Sequence, residues 1–209
     1  MALRRFLSLE SRLQCFDQFQ DYSKAMDEYF TLGHAERVLD ADHNKPAQDS
    51  FYLAHHALYK ESASTPLRVV FDGSMKTTSG VSLNDQLLVG PTIHLPLNNV
   101  LIRFRKHPYV LTTDVSKNYR AVTLTPEDRD FHRFLWRKTD TEPVVDYRMT
   151  RVTFGITSAA FLATNSLGCL ARENESELPL AAKAVKRSFY VDDGLPSVET
   201  KQEAIPPHQ

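Results

Sequence analysis

The amino-acid sequence predicts an α+β fold in which an antiparallel sheet is backed by helices, the ferredoxin-like (RRM-like) layout, with an N-terminal helix before it. Two observations support this prediction most directly. From Val110 onward the predicted order is strand, short helix, two strands, helix and hairpin, which is the order of a split βαβ unit. The 209 residues are 42% apolar, which is enough for one sizeable core or two small subdomains.

The N-terminal segment, from about Leu3 to Leu32, is predicted to be helical. Gly33 is typical of the residue that follows a helix end, and the polar stretch after it is predicted to be a loop. We therefore divide the chain into a helical segment with a linker over residues 1–45 and a second region over 46–209. The apolar residues of the helical segment recur at intervals of three or four: Phe6, Leu9, Leu13, Phe16, Phe19, Tyr22, Met26 and Tyr29.

The middle of the chain alternates short strands with loops. FYLAHHAL and LRVVFDG are rich in β-branched and aromatic residues and are predicted to be strands. His55 and His56 lack the spacing of metal ligands and are predicted to be polar residues on the first of these strands. The segment from Ser74 to Pro91 is predicted to be mostly loop. LPLNNVLIRFRK has helical spacing, and PYVLTTDV is predicted to be a strand.

The C-terminal part continues the same alternation. FHRFLWR and VVDYRMTRVTF are predicted to be two strands joined by a turn near Asp140 to Pro143. SAAFLATNSLGCLARE is predicted to be a helix, and a second short helix is predicted around Leu180 to Lys186. RSFYVDDGLPSV then predicts a strand, a tight turn and a second strand.

Composition excludes several classes of protein. Cys15 and Cys169 provide neither a disulfide framework nor a zinc motif, and no segment has the length of a membrane span, so an intracellular protein is expected. The net charge of −1 argues against a nucleic-acid binder, but basic residues cluster over 103–107 and 117–120. Each cluster is compatible with a nucleic-acid surface or with a solvated helix face.

Two adjacent carboxylates, Asp192 and Asp193, lie inside the apolar segment FYVDDGL. Side chains alternate between faces along a regular strand, so neighbouring Asp residues could not both face one metal ion there. A tight turn before Gly194 removes this restriction. The pattern therefore predicts either a carboxylate platform for metal ions or an ordinary hairpin turn.

Asp114 ends the predicted strand YVLTTDV, directly before a helical turn. The alternation of Val110, Thr112 and Asp114 places this carboxylate on one face of the sheet. A hairpin strand carrying Asp192 and Asp193 could lie beside it. An Asp at this position could equally cap the following helix.

Four motifs in order resemble those of reverse transcriptases. FYVDD resembles the YxDD box, and TDVSKNY resembles the preceding motif, an Asp followed five positions later by an aromatic residue. LRVVFDGS resembles the finger strand whose Arg contacts the incoming triphosphate, and TFGITSAAFLAT resembles the motif that packs against the nucleotide. The flanking segments YLAHHAL, SGVSLNDQLLVGPT, LIRFRKH and FLWR resemble Bel/Pao-type long-terminal-repeat retrotransposons, from roughly Arg4 to Ile205.

The resemblance implies a polymerase palm with fingers elements that stops after the YVDD box, without thumb, ribonuclease H or integrase. It implies that Asp114, Asp192 and Asp193 are catalytic and hold two Mg²⁺ ions, which Mn²⁺ could replace. The remaining implied roles are nucleotide binding for Arg68, Tyr119, Phe154 and Gly155, and contact with the primer end for Tyr190 and Val191.

These roles imply an RNA-directed DNA polymerase that adds deoxynucleotides to a primer 3′-hydroxyl on an RNA or DNA template, with no membrane partner. Whether the chain associates with a longer polyprotein product stays open. An alternative is a truncated, catalytically inactive retrotransposon remnant that at most binds nucleic acid. A third alternative, a small ferredoxin-like RNA-binding module, requires exposed aromatic residues on the sheet in place of carboxylates.

Overall fold

The computed structural model describes residues 1–39, 46, 49–59 and 67–204. The fold combines helices with small antiparallel sheets. The chain divides into two compact units: unit 1 is Met1–Leu88 with Tyr119–Ala159, and unit 2 is Val89–Asn118 with Ala160–Gln209. The predicted loop over 39–50 and the predicted turn KESASTP fall largely outside the described residues.

Helices and short strands alternate along the described residues. The first are α1 (Ala2–Cys15), α2 (Phe19–Thr31), β1 (Ala35–Arg37), β2 (Ala54–Tyr59), β3 (Leu67–Asp72), α3 (Leu83–Gln86), α4 (Leu97–Phe104), β4 (Tyr109–Val110), β5 (Thr113–Asp114) and α5 (Asn118–Ala121). The others are a 3₁₀ helix (Arg129–His132), β6 (Arg133–Trp136), β7 (Val145–Met149), α6 (Ala159–Glu173), α7 (Pro179–Ser188), β8 (Phe189–Tyr190), β9 (Asp193–Gly194), β10 (Ser197–Val198) and α8 (Lys201–Ala204).

The N-terminal helical segment is two helices, where the spacing predicted one. The break lies at Asp17, which takes a left-handed φ of 54°. The Asp17 amide donates to the Gln14 carbonyl at 3.1 Å and the Gln18 amide to the Leu13 carbonyl at 2.8 Å, which is a Schellman end. Asp tolerates this conformation better than most residues with a Cβ, so the apolar spacing continues across a real helix end.

Gly33 ends α2 in the way that the sequence predicted. Its φ is 65°, its amide donates to the Phe30 carbonyl at 3.0 Å, and the His34 amide donates to the Tyr29 carbonyl at 2.8 Å. These bonds satisfy carbonyls that the helix end leaves without partners.

The predicted strands around LRVVFDG and FYLAHHAL are confirmed as the hairpin β2–β3. Burial alternates along β3: Leu67, Val69 and Phe71 are buried, whereas Arg68 is exposed. The buried face of β3 packs against α2. Tyr29 on α2 lies edge-on to Phe71, with ring centroids 5.7 Å apart. Arg68 therefore faces away from the core of unit 1.

The strands β6 and β7 do not join the strands that carry Asp114 and Asp193. They form the sheet β1–β7–β6 in unit 1, whereas β5–β9–β8 forms a separate sheet in unit 2. One ferredoxin-like sheet containing all of these strands is therefore not formed among the described residues. Arg148 on β7 pairs with Glu36 on β1 at 2.7 Å, a long-range contact that strand periodicity does not encode.

The predicted strand PYVLTTDV is present as two short pieces, β4 and β5, in one register with β10 and β9. Between them the Leu111 amide donates to the Pro196 carbonyl at 3.0 Å. Proline has no amide hydrogen to return the second bond of this pair, so the ladder is interrupted at Pro196. Among the described residues no helix combines the length and the apolar character needed to cross a bilayer.

His55 lies on β2, as the sequence predicted, but it is buried at the centre of an aromatic cluster in unit 1. Its Nε2 lies 2.9 Å from the Leu135 carbonyl oxygen, which only accepts, so Nε2 carries the proton. Its Nδ1 then accepts from the Tyr22 hydroxyl at 2.6 Å. The surrounding rings are Phe6, Tyr22, Phe71, Phe134 and Trp136.

Burial of this kind predicts sensitivity to acid. Burial lowers the pKa of His55 and that of His132 from 6.5 to about 4. The unfolded chain therefore takes up protons below pH 6.5 that the folded chain refuses until about pH 4. We expect the free energy of unfolding to be flat above pH 7 and to fall between about pH 6.5 and pH 4, by about 3 kcal/mol per histidine.

Urea denaturation across this pH range would measure the effect. His55→Gln should remove its share of the slope, and His56→Gln, whose side chain is exposed, serves as the control. A slope that His55→Gln leaves unchanged would assign the acid sensitivity to other groups.

Candidate active site

Asp114 and Asp193 are direct cross-strand partners in the sheet β5–β9–β8 of unit 2. The Val115 amide donates to the Asp192 carbonyl at 3.0 Å, which makes Asp114 and Asp193 a non-hydrogen-bonded pair. In such a pair the two side chains lie on the same face with Cβ atoms about 4.5–5.5 Å apart. Both residues are exposed, so two like charges face each other at the surface.

The turn between β8 and β9 consists of Val191 and Asp192. Tyr190 pairs with Asp193 and Phe189 with Gly194, so this is a two-residue hairpin. Val191 has a φ of 58°, which is unusual for a β-branched residue. The predicted tight turn is thereby confirmed, and it removes Asp192 and Asp193 from strict strand alternation.

The hairpin has no room for a side chain at Gly194. A Cβ at Gly194 would come within 2.6 Å of the Phe189 ring and 2.9 Å of the Thr113 hydroxyl oxygen. The hairpin strand can therefore approach β5 closely, which brings Asp193 opposite Asp114.

The facing carboxylates are suitable ligands for Mg²⁺. Aspartate oxygens are the hard ligands that Mg²⁺ takes, usually one or two carboxylates together with waters and substrate phosphates. Asp114 and Asp193 meet this requirement as a facing, exposed pair, with Asp192 next in the turn. Over residues 1–39, 46, 49–59 and 67–204, no three His, Cys, Asp or Glu side chains are gathered closely enough to form a complete metal site.

Tyr190, a predicted primer-facing residue, is half-buried at the end of β8. Its ring meets the His94 ring edge-on, with centroids 4.8 Å apart. Val191 is half-buried in the adjacent turn. Both residues thus lie next to the carboxylate pair within unit 2.

The residues predicted to bind the nucleotide lie in unit 1. Arg68 is exposed on β3, and within the described residues it has no carboxylate partner. The rings of Tyr119 and Phe154 are in contact, with centroids 4.4 Å apart and planes tilted by 44°. Phe154 is 40% exposed, so this pair presents an aromatic surface to solvent.

Gly155 lies where no side chain fits. Its φ is 94°, and a Cβ there would overlap the carbonyl oxygen of Phe71 at the end of β3. The Gly73 amide donates to the Gly155 carbonyl at 3.2 Å. The turn that carries Phe154 is therefore held against the end of the strand that carries Arg68.

Asn84 fastens this turn and was not predicted from the sequence. Its Nδ2 donates to the Gly155 carbonyl and to the Ser74 hydroxyl, both at 2.9 Å, and its Oδ1 accepts from the Thr157 amide at 2.9 Å. Asn84 lies on α3, inside the segment predicted to be mostly loop. The helix begins with a capping box in which Ser82 and Asp85 bond each other's amides.

Removal of the Asn84 side chain leaves the Thr157 amide without its partner and takes away one of the two hydrogen bonds that the Gly155 carbonyl accepts. We expect Asn84→Ala to lower the free energy of unfolding by about 1–3 kcal/mol, measured by urea denaturation. Asn98→Ala, at an exposed position on α4, is expected to stay within about 0.5 kcal/mol. Equal effects from the two variants would mean that the hydrogen bonds of Asn84 do not stabilise the turn at Gly155.

The predicted site residues thus fall into two sets, one in each unit. The carboxylate set is Asp114, Asp192 and Asp193, with Tyr190 and Val191 beside it; the other set is Arg68, Tyr119, Phe154 and Gly155. The catalytic and binding roles of both sets stay predictions. The capping pattern from Ser82 to Asp85 is the sequence signal that could have identified α3 and, with it, Asn84.

Comparison with known proteins gives similarity at the level of structure. No protein-family model and no curated protein matches the chain. The foamy viral protease-reverse transcriptase dRH in complex with ds DNA is 20% identical, with a TM-score of 0.60 over 85% of this chain and 25% of that chain. The native prototype foamy virus protease-reverse transcriptase is 18% identical, with a TM-score of 0.59 over 85% of this chain and 19% of that chain.

A third structure, the foamy viral protease-reverse transcriptase in complex with RNA/DNA hybrid, gives the same values as the native form. The chain therefore spans about a fifth to a quarter of the length of these solved chains. Its fold, mixed helices with small antiparallel sheets, is similar to that of retroviral reverse transcriptases.

Proposed function

We propose that this chain is the fingers-and-palm core of an RNA-directed DNA polymerase that transfers deoxynucleotides to a primer 3′-hydroxyl. The facing pair Asp114 and Asp193 at the base of the Val191–Asp192 turn carries the proposal. Two like charges directly opposite each other destabilise a sheet, so such a pair calls for a cation. The likeness to reverse transcriptase structures solved with DNA or with RNA/DNA hybrid supports a template–primer as the partner.

Asp114 and Asp193, together with Asp192, would hold two Mg²⁺ ions, with Mn²⁺ as an alternative. Bound metal would activate the attacking hydroxyl and neutralise charge on the departing pyrophosphate. The exposed guanidinium of Arg68 would bind the triphosphate of the incoming nucleotide through its planar donors. The tilted ring pair of Tyr119 and Phe154 would pack against the sugar and base, with the Gly155 turn close beside it.

The sheet β5–β9–β8 would be part of a ferredoxin-like palm, and the hairpin β2–β3 part of the fingers. The order of the motifs LRVVFDGS, TDVSKNY, TFGITSAAFLAT and FYVDD supports a Bel/Pao-type retrotransposon origin. A cytoplasmic location fits a chain with two free cysteines.

Primer extension tests the proposal. The chain would be incubated with a labelled primer on an RNA template, the four deoxynucleotides, and Mg²⁺ or Mn²⁺. The matched variant is Asp192→Asn/Asp193→Asn, and a second arm replaces the RNA template with DNA. We expect extension by the unaltered chain that the variant loses.

Extension that survives in the variant would contradict the assignment of these carboxylates. No extension by either protein, with a cooperative thermal transition that Mg²⁺ does not shift, would contradict the proposal and support the inactive remnant.

A further inference from the structure

A groove of about 730 Å³ lies between α1 and the hairpin β2–β3, wholly within unit 1. From β2 it is lined by four consecutive residues, Ala54 to Ala57, and by Tyr59. Successive residues of a strand point to opposite faces, so a groove lined by consecutive residues follows the edge of the strand. The polymerase residues proposed above do not line this groove, so that proposal does not account for it.

This edge of β2 is open to pairing. Along Ala54–Tyr59 the described backbone hydrogen bonds run to β3 alone, and the backbone contact with β6 ends before this segment, where the Leu53 amide donates to the Arg133 carbonyl at 2.7 Å. Edge strands are usually protected by lysine, proline or a bulge. The segment AHHALY contains neither lysine nor proline and pairs with β3 without a bulge. The edge therefore presents amides and carbonyls that an added strand can satisfy.

The side of the groove that α1 forms is basic. Glu10 lies away from the groove and is buried, and its carboxylate accepts from the Arg137 guanidinium at 2.8 Å. Arg4 and Arg12 are exposed, and in the part of the chain that the structure describes neither has a carboxylate partner. Three arginines and a single acid, Asp72, line the groove, which gives it a local positive surplus in a chain of net charge −1. A partner that complements this surplus is acidic.

The residues of α1 that line the groove are spaced to meet a strand. Four of them follow one another at four-residue steps, about 6.0 Å each along a helix: Arg4, Ser8, Arg12 and Phe16. Side chains on one face of a strand recur every two residues, about 6.6 Å apart. An extended peptide that lies along α1 therefore brings every second side chain to the next residue of this row. Phe16 is 67% exposed, so its ring is free to contact an aromatic side chain at the end of the peptide.

We propose that this groove binds an extended acidic peptide, which adds to β2 as a further strand and places carboxylates four residues apart on Arg4 and Arg12. The competing polyanion is a nucleic acid, whose sugar–phosphate backbone has no N–H donors and leaves the carbonyls of the β2 edge without partners. A peptide backbone supplies donors and acceptors in alternation and satisfies both kinds of group. The inference is independent of the polymerase proposal, because peptide binding needs neither metal nor nucleotide.

The test is fluorescence anisotropy with a fluorescein-labelled peptide of sequence EVSVEVF. The variant Arg4→Gln/Arg12→Gln should weaken binding at least about tenfold, because it removes two charge-assisted contacts. The matched control, Lys24→Gln/Arg37→Gln, removes the same charge from exposed positions of unit 1 outside the groove and should weaken binding less than about twofold. A peptide of the same composition with adjacent acids, EEVSVVF, should bind the unaltered chain about tenfold more weakly, since neighbouring side chains point to opposite faces of a strand.

N-methylation of the peptide separates strand addition from attraction between charges. Amides of alternate residues in a strand point to opposite edges, so methylating the valine amides and methylating the amides of the glutamates and the serine should differ in effect. We expect one analogue to lose at least about tenfold in affinity and the other less than about threefold. Equal losses in the two analogues would overturn the addition to β2.

Two further outcomes would also overturn the proposal. One is an equal loss of affinity in the variant Arg4→Gln/Arg12→Gln and its control, which would place the peptide outside the groove. The other is displacement of the peptide by an oligodeoxythymidylate at equal charge concentration, with EVSVEVF and EEVSVVF binding alike, which would assign the groove to nucleic acid.

Discussion

Asp193→Asn is expected to lower the rate of primer extension about a thousandfold or more while leaving the melting temperature unchanged or higher. A bound metal supplies several kcal/mol of transition-state stabilisation in nucleotidyl transfer, and each 1.36 kcal/mol is a factor of about ten in rate. Asp114→Asn should behave in the same way, because the two carboxylates are direct cross-strand partners. The two variants are thus expected to separate activity from stability.

The melting temperature is expected to stay unchanged or rise because of the geometry of the pair. Asp114 and Asp193 are exposed and face each other, so removal of either charge relieves repulsion rather than breaking a favourable contact. The gain in melting temperature should be largest at low salt, where charges are least screened. Mg²⁺ should stabilise the unaltered chain and neither variant, by mass action on the folded state.

Thermal denaturation with and without Mg²⁺ at two salt concentrations measures this effect beside the extension assay. Glu177→Gln, an exposed carboxylate of unit 2, is the control and should leave both readouts unchanged. A marked fall in melting temperature in Asp193→Asn would show that the carboxylate has a structural role. Full extension by that variant would remove Asp193 from the proposed catalytic set.

The sequence predicted the position of this turn but not which residue takes the left-handed conformation in it. A tight turn at the Asp pair was expected on the grounds that Gly194 follows it. In the structure Gly194 lies in β9, where a Cβ would strike Phe189, and Val191 takes the left-handed conformation. Local propensity assigns that conformation to glycine, so only the surrounding structure can impose it on a valine.

Elements with a strong local pattern were predicted well. The hairpin β2–β3 was predicted from the composition and alternation of its strands, and the helix α6 from its three-to-four spacing. Both patterns can be recognised within the segment itself, without knowledge of distant contacts. Contacts between distant segments were not predicted. Asn84 meets the Gly155 carbonyl across 71 positions, and β1 joins β7 through Glu36 and Arg148, for which no local spacing exists.

Asp130→Ala is expected to lower the free energy of unfolding of unit 1 by about 3–5 kcal/mol. Asp130 is 2% exposed, and one of its carboxylate oxygens accepts from Arg133 at 3.0 Å and from Arg148 at 2.9 Å. Arg133 is equally buried, so its cation would be left in the interior without this counter-charge. The cost is that of an uncompensated buried charge, which exceeds the worth of an exposed ion pair.

Urea denaturation followed by the fluorescence of Trp136 is suited to this measurement. Trp136 is the single tryptophan, is buried, and lies on β6, the strand that begins at Arg133, so its signal reports unit 1 directly. The control Asp128→Ala removes an exposed acid from the adjacent turn, whose carboxylate accepts from the Thr125 hydroxyl, and should cost less than about 1 kcal/mol.

A double variant, Asp130→Leu/Arg133→Met, distinguishes the loss of a buried charge partner from the loss of packing. Replacing both members of a buried pair by apolar groups is often neutral, because neither desolvated charge remains. The double variant should therefore be more stable than Asp130→Ala alone, with Arg148 still held by Glu36 at 2.7 Å. A double variant as unstable as the single one would mean that the sheet β1–β7–β6 depends on the contact between Asp130 and Arg148 instead.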